Sequence, residues 1–514
     1  LVLLAAVALV VGLADCFDTN EADKLPLALQ RIRPDWLPGD WYLNHPQPHQ
    51  WLFLELAGRV LNSLGMVAGA VVIRCSGYAL WCWGMAGVAA ELGLGLPWLL
   101  AGLALWLPRQ GMVAGEWMLG SAEPKTFAYG LLLLAFVSWR RSCSGWAGLQ
   151  AGLACSAHVL VGGYGALSLA ALAWLRSAQL RMRWWPAIAA ALVGAFALYR
   201  PVLGRLVQLA TPAPANPLRM SPIWLYVPFR HPHHLVPSTW GRGWLLVVVV
   251  LLGWMVVGHW LRRAAVTRLS EPELEACRDL WRWSALALVP FGVGLLLSLV
   301  DADGFALQLY PFRLADTLLP LTLVLLGARA LQALVVERGR LSRSLQPIGA
   351  VAVAALLLLA AVLTSRGAVF RPGQAFAPPP EKAMLYPSLM ASTPHGARVL
   401  TPPGGFSDLA LRTSRSPVVQ FRQVPGSMGL LGEWARRLAE LAGGAHQLRE
   451  GPGGAAAERR LMSAYTRLNP QDLATLARRY DVLAVVTGEG QAGPAGWQRV
   501  PAGAAWWLWL PPQR

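Results

Sequence analysis

Charge is scarce in this chain. Only 14% of its 514 residues are Asp, Glu, Lys or Arg, where soluble domains carry about 25%. Together with 55% apolar residues and a mean hydropathy of +0.44, that shortage describes a chain whose solvent is partly lipid. Acidic side chains are scarcer than basic ones, 27 against 44, but the arginines gather at the ends of apolar runs, where the positive-inside rule places them. No nucleic-acid-binding signature accompanies them, so nucleic acid is not the expected partner. Cysteine is also sparse. The six are Cys16, Cys75, Cys82, Cys143, Cys155 and Cys277; none forms a Cys-x-x-Cys pair, which argues against a zinc site or a disulfide framework. Missing too are a Walker loop, a dinucleotide fingerprint, a Gly-x-Ser-x-Gly elbow and a His-Glu-x-x-His helix, and with them the main signs of an ATPase, an α/β-hydrolase or a zincin.

What the chain has in quantity is long apolar runs. A spanning helix needs roughly 20 such residues, at 1.5 Å rise through a core about 30 Å thick. Candidates lie at 1–13, 66–91, 96–108, 126–139, 145–158, 161–175, 184–200, 244–261, 284–300, 313–335 and 346–365. The first is read as truncated, because the sequence opens inside it. Arg74 interrupts the second, so that helix either snorkels the arginine or begins earlier, at Trp51. The expected fold is mainly α: a polytopic transmembrane bundle of about eleven helices over 1–365, followed by a small soluble α/β domain over 366–514.

Arginine clusters at Arg140-Arg141, at Arg176 with Arg181 and Arg183, at Arg262-Arg263 with Arg268, and from Arg338 to Arg343 read as cytoplasmic. The stretch 142–175, flanked by two of them, is then a helical hairpin bending near His158–Gly163. External segments fall at 14–65, 109–125, 201–243 and 301–312, and the tail lies outside as well. In the tail, β-branched and aromatic runs at Ala397–Thr401, Pro417–Phe421, Asp481–Thr487 and Ala505–Leu510 predict strands. Gly429–Ala442 and Pro470–Tyr480 predict helices, the second capped by Asn469. The Gly/Ala-rich stretch 443–457 reads as a flexible insertion.

The external loops carry the candidate chemistry. Asp15, Asp18 and Glu21 follow the first helix; a carboxylate there can act as general base or hold a divalent cation, and can equally be a solvated loop with a helix cap. Glu123 and Lys125 open an apolar helix beside Glu116, a place for a phosphate or for a snorkelling pair. His158 interrupts the hairpin, as a functional ionisable group or as a neutral histidine bonded to backbone. Arg230, His231, His233 and His234 crowd the longest loop, too tightly around Pro232 for a tetrahedral metal site from that segment alone. They suit a phosphate or a sugar hydroxyl. Arg313, at an outer helix end, either forks onto a phosphate or pairs with Asp316.

Three of these features, an acidic stretch just outside the first helix, an external loop ending in Glu-Pro-Lys (Glu123 to Lys125), and a hairpin around His158, resemble the GT-C membrane glycosyltransferase superfamily. Closer still is the similarity to bacterial multi-pass proteins of that type, carried by Asn20-Glu21, Leu25-Pro26, Pro38-Gly39-Asp40, Arg230-His231-Pro232-His233-His234, Thr401-Pro402-Pro403, Glu433-Trp434 and Arg437. The resemblance implies a bacterial inner-membrane protein that moves a sugar from a polyprenyl-phosphate donor to an acceptor on the external face. It implies a first-loop carboxylate as base, with Asp18 ahead of Asp15 and Glu21. One departure is Val159, where that hairpin commonly has proline. Two other classes stay open: a transporter or lipid flippase, which calls for mid-membrane polar groups and internal repeats, and a non-catalytic envelope scaffold.

Overall fold

The structure is a computed structural model and describes residues 1–8, 10, 17, 19–45, 48–176, 218–263, 269–335, 352–360 and 376–512. It is mainly helical, with a small sheet near the C-terminus. Among the described residues, five helices are long and apolar enough to cross a membrane: Met66–Glu91, Val159–Arg176, Gly243–Arg263, Glu271–Leu297 and Arg313–Val335. A shorter apolar helix, Leu96–Trp106, matches the run expected at 96–108. The runs expected at 126–139 and 145–158 form helices of 17 and 14 residues, the first at the lower limit for a span and the second below it. The run at 184–200 lies outside the described residues, and those at 1–13 and 346–365 are described only in part.

In chain order the helices are α1 (Val2–Val7), α2 (Thr19–Ile32), α3 (Trp51–Leu64), α4 (Met66–Glu91), α5 (Leu96–Trp106), α6 (Pro124–Arg140), α7 (Ser144–Ala157), α8 (Val159–Arg176), α9 (Gly243–Arg263), α10 (Glu271–Leu297) and α11 (Arg313–Val335). Each boundary has a local cause. Gly65, at φ +76°, separates α3 from α4, in a conformation an L side chain rarely adopts. Pro124 sits in the first turn of α6, where its missing N–H costs nothing. Ser270 and Glu273 form a reciprocal capping box at the start of α10. His158 takes an extended backbone that splits α7 from α8. The helices α4 and α6 pack closely through small residues: a Cβ on Gly84 would sit 2.7 Å from Leu133 Cβ, and one on Gly130 would sit 3.0 Å from the Trp81 nitrogen. On α9, Leu245, Val249, Leu252 and Val256 are all more than half exposed. Their spacing puts them on one face, as a lipid-facing stripe requires.

The two ends of the bundle differ chemically. At one end Arg140 pairs with Asp279 at 2.7 Å, Arg141 with Glu91 at 2.8 Å, and Arg176 with Glu275 at 2.6 Å and Asp279 at 2.8 Å. The opposite end gathers the starts of α6, α8 and α11, and the tail folds against it. The segment 14–65, expected to lie outside, is not an open loop in its described residues. Its helices α2 and α3 pack together in a core that includes Leu25, Ala28, Phe53 and Leu54, joined by Ala410 and Leu411 of the tail. Arg74 neither snorkels nor marks a longer helix. It is buried in α4 and paired with the fully buried Glu21 of α2.

The tail carries β1 (Arg398–Leu400), β2 (Ser416–Pro417), β3 (Ala484–Gly488), β4 (Gln498–Pro501) and β5 (Trp506–Leu510), in the order β2-β1-β3-β5-β4. The strand β1 runs parallel to β2 and β3, and β5 antiparallel to β3 and β4. The helices Met428–Leu441 and Pro470–Arg479 stand near their expected positions, and the Asn469 side chain accepts from the Asp472 N–H as the cap. The stretch 443–457 is not a loose insertion: it runs through the short helix His446–Arg449 into the helix Ala455–Tyr465. Its Gly454 N–H donates to the Phe229 carbonyl at 2.7 Å. Leu225 and Phe229 share one apolar core with Trp434, Leu461 and Tyr465, so the segment before α9 and the tail pack as one layer.

Candidate functional site

Between the bundle end and the tail lies a cavity of about 930 Å³, in the upper range for small-molecule sites. Its inner wall comes from the starts of α6, α8 and α11 and the segment 115–117; its outer wall comes from 226–239 and from the tail residues 421–428 and 452–458.

The segment before α6 is positioned by Asp316, one turn into α11. Its carboxylate accepts the backbone N–H groups of Met112 (3.0 Å), Val113 (2.7 Å), Ala114 (3.1 Å) and Glu116 (3.3 Å). Four donors on one buried carboxylate fix the loop as a capping residue fixes a helix end. Arg313 is therefore not paired with Asp316. Its Nε donates to Glu116 Oε1 at 2.7 Å, and its guanidinium lies 4.1 Å from the centre of the Tyr310 ring.

Lys125 reaches the same cluster, 3.3 Å from Glu123 Oε2, 3.5 Å from Glu116 Oε2, and 3.4 Å from the centre of the Trp117 ring. Glu123 Oε1 accepts from Asn20, Trp117 and Ser121. Burial pushes the Glu116 carboxyl up, but Arg313 and Lys125 outweigh burial and hold it at about 2. Glu116 is thus a carboxylate at any working pH.

His158 has its Nε2 3.3 Å from Arg313 Nη1, while its Nδ1 faces the Val161 N–H at 3.3 Å. A neutral imidazole has one acceptor nitrogen. Val161 N–H and Arg313 Nη1 both donate toward the ring, which accepts from one of them, at Nδ1 or at Nε2, according to its tautomer. Arg313 Nη2 has no acceptor among the described residues. The Arg313 guanidinium at the start of α11 and Lys125 at the start of α6 thus bring two cationic donors to one cavity wall, an arrangement that suits an anionic oxygen.

The histidine loop is fixed from behind. His231 Nδ1 contacts the Tyr226 carbonyl at 2.9 Å, and His234 Nδ1 contacts the Ala114 carbonyl. The rings of His233 and His234 are 4.0 Å apart. Burial holds His234 down at about 3, with His233 adding to the effect, so its ring is neutral. Arg230 has a different task from the one expected: it ties the loop to the tail, donating to the carbonyls of Phe421 (2.9 Å) and Arg422 (3.2 Å).

Glu123, Lys125, His158, Arg230, His231, His233, His234 and Arg313 thus all line one cavity. The expected base residues are placed otherwise. Glu21 does not line the cavity; it holds Arg74 and accepts the Ala122 N–H at 2.7 Å. Asp15 and Asp18 lie outside the described residues. The acidic residue of that stretch that does line the cavity is Asp23, paired with Lys24 at 2.6 Å and accepting from the Tyr42 hydroxyl. Asp23 stood among the acidic residues expected in the first external segment but was not singled out as a site residue; Lys24, Tyr226 and the Arg422–Glu458 pair escaped the sequence reading, because no spacing rule links segments about 200 positions apart. Among the described residues no group of three or more His, Cys, Asp or Glu side chains stands ready to hold a metal ion.

A scan against protein-family models finds no match, and a search of curated proteins finds none either.

Proposed function

We propose that this chain is a membrane glycosyltransferase of GT-C type that moves a sugar from a polyprenyl-phosphate donor to a hydroxyl acceptor at the outer face of a bacterial inner membrane, with the tail on that face. The observation that carries the reading is the convergence of Arg313 and His158, beside Lys125, on one cavity at the ends of apolar helices. A lipid-linked phosphate would enter from the side of the bundle and place its oxygens on these donors. The acceptor oxygen then bonds to the anomeric carbon as the bond from that carbon to the phosphate oxygen breaks. The electron pair leaves with polyprenyl phosphate, and the hydroxyl proton passes to a carboxylate base. Arg313 and His158 would stabilise charge growing on the leaving phosphate. Asp18 remains the first candidate for the base, with Asp15 behind it. Asp23 joins them because it lines the cavity, and Glu21 drops back because its carboxylate is taken up by Arg74.

The test is transfer of labelled sugar from a panel of polyprenyl-phosphate sugars by the detergent-purified chain, beside Asp18→Asn, Asp23→Asn and Arg313→Gln. General-base catalysis is worth about 10²- to 10⁴-fold, so one carboxamide variant should lose rate on that scale while still binding donor. Full activity in both carboxamide variants would overturn the base assignment. No donor bound by the wild type would overturn the class.

A further inference from the structure

The histidine loop shows the cavity lone pairs rather than protons. His231 Nδ1 lies 2.9 Å from the Tyr226 carbonyl, and His234 Nδ1 contacts the Ala114 carbonyl. A carbonyl only accepts, so in each ring Nδ1 carries the hydrogen, and in a neutral ring Nε2 is then the acceptor. Both rings are neutral: burial, with Arg230 adding to it, holds His231 well below its usual range, and His234 stands at about 3. Neither Nε2 has a partner among the described residues, and neither is sealed off. The His234 side chain keeps 18% of its surface open, on a ring that lines the cavity. Among the described residues no third His, Cys, Asp or Glu joins the two as a metal ligand.

Tyrosine supplies the opposite polarity. The Tyr226 and Tyr310 hydroxyls are 3.3 Å apart. One donates to the other, and the second hydrogen has no acceptor among the described residues. Tyr310 stands in a left-handed backbone, φ +55°, which a bulky side chain rarely adopts and which recurs at ligand-binding sites. The four rings form one wall. His231 lies 4.6 Å from Tyr226 and 6.1 Å from Tyr310, and His234 lies 6.2 Å from His231 and 6.1 Å from Tyr310, centre to centre. A ligand that completes this wall must donate to two nitrogens and accept from one phenol. An ammonium group only donates, and an ionised phosphate oxygen only accepts. Hydroxyl groups do both, and a sugar carries several on one frame. The wall also starts beside the phosphate grip, since His234 Nδ1 is 3.8 Å from Glu116 Oε1, the oxygen that holds Arg313.

Resting on the phosphate grip proposed above, we infer that His231, His234 and the Tyr226–Tyr310 pair bind the hydroxyls of a sugar carried on the gripped phosphate, so that the site takes glycosyl phosphates in preference to phosphate esters without hydroxyls. These residues select and orient the sugar. A ring held at about 3, as His234 is, is too weak a base to draw a proton from the acceptor.

Glucose 1-phosphate and cyclohexyl phosphate share a six-membered ring and a phosphate, and only the first has ring hydroxyls. Their affinities for the detergent-purified chain are measured by calorimetry for wild type, His231→Asn and His234→Asn. Asparagine keeps an N–H near the Nδ1 position, so the loop stays anchored, and removes the Nε2 acceptor. The wild type should prefer glucose 1-phosphate by about tenfold or more, and each asparagine variant should lose about 3- to 10-fold of that preference while still binding cyclohexyl phosphate. The double variant Tyr226→Phe, Tyr310→Phe touches neither anchor. It should lose preference on the same scale, and it keeps the test open should the asparagine variants fail to fold. An undiminished preference in the folded variants would overturn the wall and leave the phosphate grip standing. So would equal wild-type affinities for the two phosphates with methyl glucoside bound beside cyclohexyl phosphate, which would give the wall to a separate acceptor sugar. Failure of cyclohexyl phosphate to bind the wild type would overturn the grip itself.

Discussion

Gly453 stands where the tail meets the bundle loop, and its replacement by alanine probes how the cavity is closed. A Cβ there would lie 2.0 Å from the Pro228 carbonyl oxygen, 2.6 Å from the Phe229 carbonyl oxygen and 2.9 Å from the Phe229 Cα. All three are backbone atoms, and none can turn aside as a side chain could. Either the helix Ala455–Tyr465 withdraws, or the loop 225–235 does. Overpacking of this kind costs about 1–3 kcal/mol. Withdrawal would also strain the Gly454 N–H to Phe229 carbonyl bond, a further ~1 kcal/mol. The expected loss is about 2–4 kcal/mol, read as a drop in the unfolding midpoint in detergent. Gly488→Ala is the matched control: open space surrounds its Cβ position, so the change should stay within about 0.5 kcal/mol. Equal stability of the two variants would refute the close docking of tail on loop. Because Pro228, Gly453 and Gly454 line the cavity, Gly453→Ala should also weaken cyclohexyl phosphate binding.

Further outcomes follow from other contacts. Asp316→Asn turns an NH₂ toward backbone donors now held by a carboxylate; it should destabilise by about 1–3 kcal/mol and weaken phosphate binding, and unchanged binding would separate the 109–117 loop from the site. Glu21→Gln removes the carboxylate paired with the buried Arg74 and should lower stability by about 1.5–3 kcal/mol, read from the unfolding midpoint; a loss under about 0.5 kcal/mol would contradict a buried ion pair. His234 is held near 3 in the folded protein and lies near 6.5 unfolded. Its folded value is the lower one, so its contribution is whole above pH 6.5 and is lost as pH falls toward 3. His234→Asn should therefore flatten the pH dependence of stability between pH 6 and 4 by up to about 1.4 kcal/mol per unit, and parallel curves would contradict a buried neutral ring.

The membrane-length helices were legible because lipid demands uninterrupted apolar runs, and α4, α8, α9 and α11 stand within a few residues of their expected bounds. Strand β4 was not: Gln498–Pro501 is polar and mostly exposed, an edge strand with no alternation to announce it. The segment 443–457 was misread because its glycines serve close approach to Phe229 rather than freedom, and composition cannot tell these apart. Glu116 and Arg313 were each visible as polar groups at helix ends, but their pairing was not, since Asp316 offered a nearer partner in sequence. The tie between Arg230 and the tail carbonyls spans about 190 positions and leaves no local signal.

The central claim is that Arg313 and His158 grip an anionic phosphate. The most direct measurement is the affinity of farnesyl phosphate, a short isoprenoid phosphate, for the detergent-purified chain beside Arg313→Gln and His158→Ala, with folding checked by melting. Charge-assisted hydrogen bonds are worth about 1.5–3 kcal/mol, so saturable binding should weaken about 10- to 100-fold in Arg313→Gln, less in His158→Ala, and fall as salt is raised. Equal affinity in wild type and Arg313→Gln, with both proteins folded, would contradict the account.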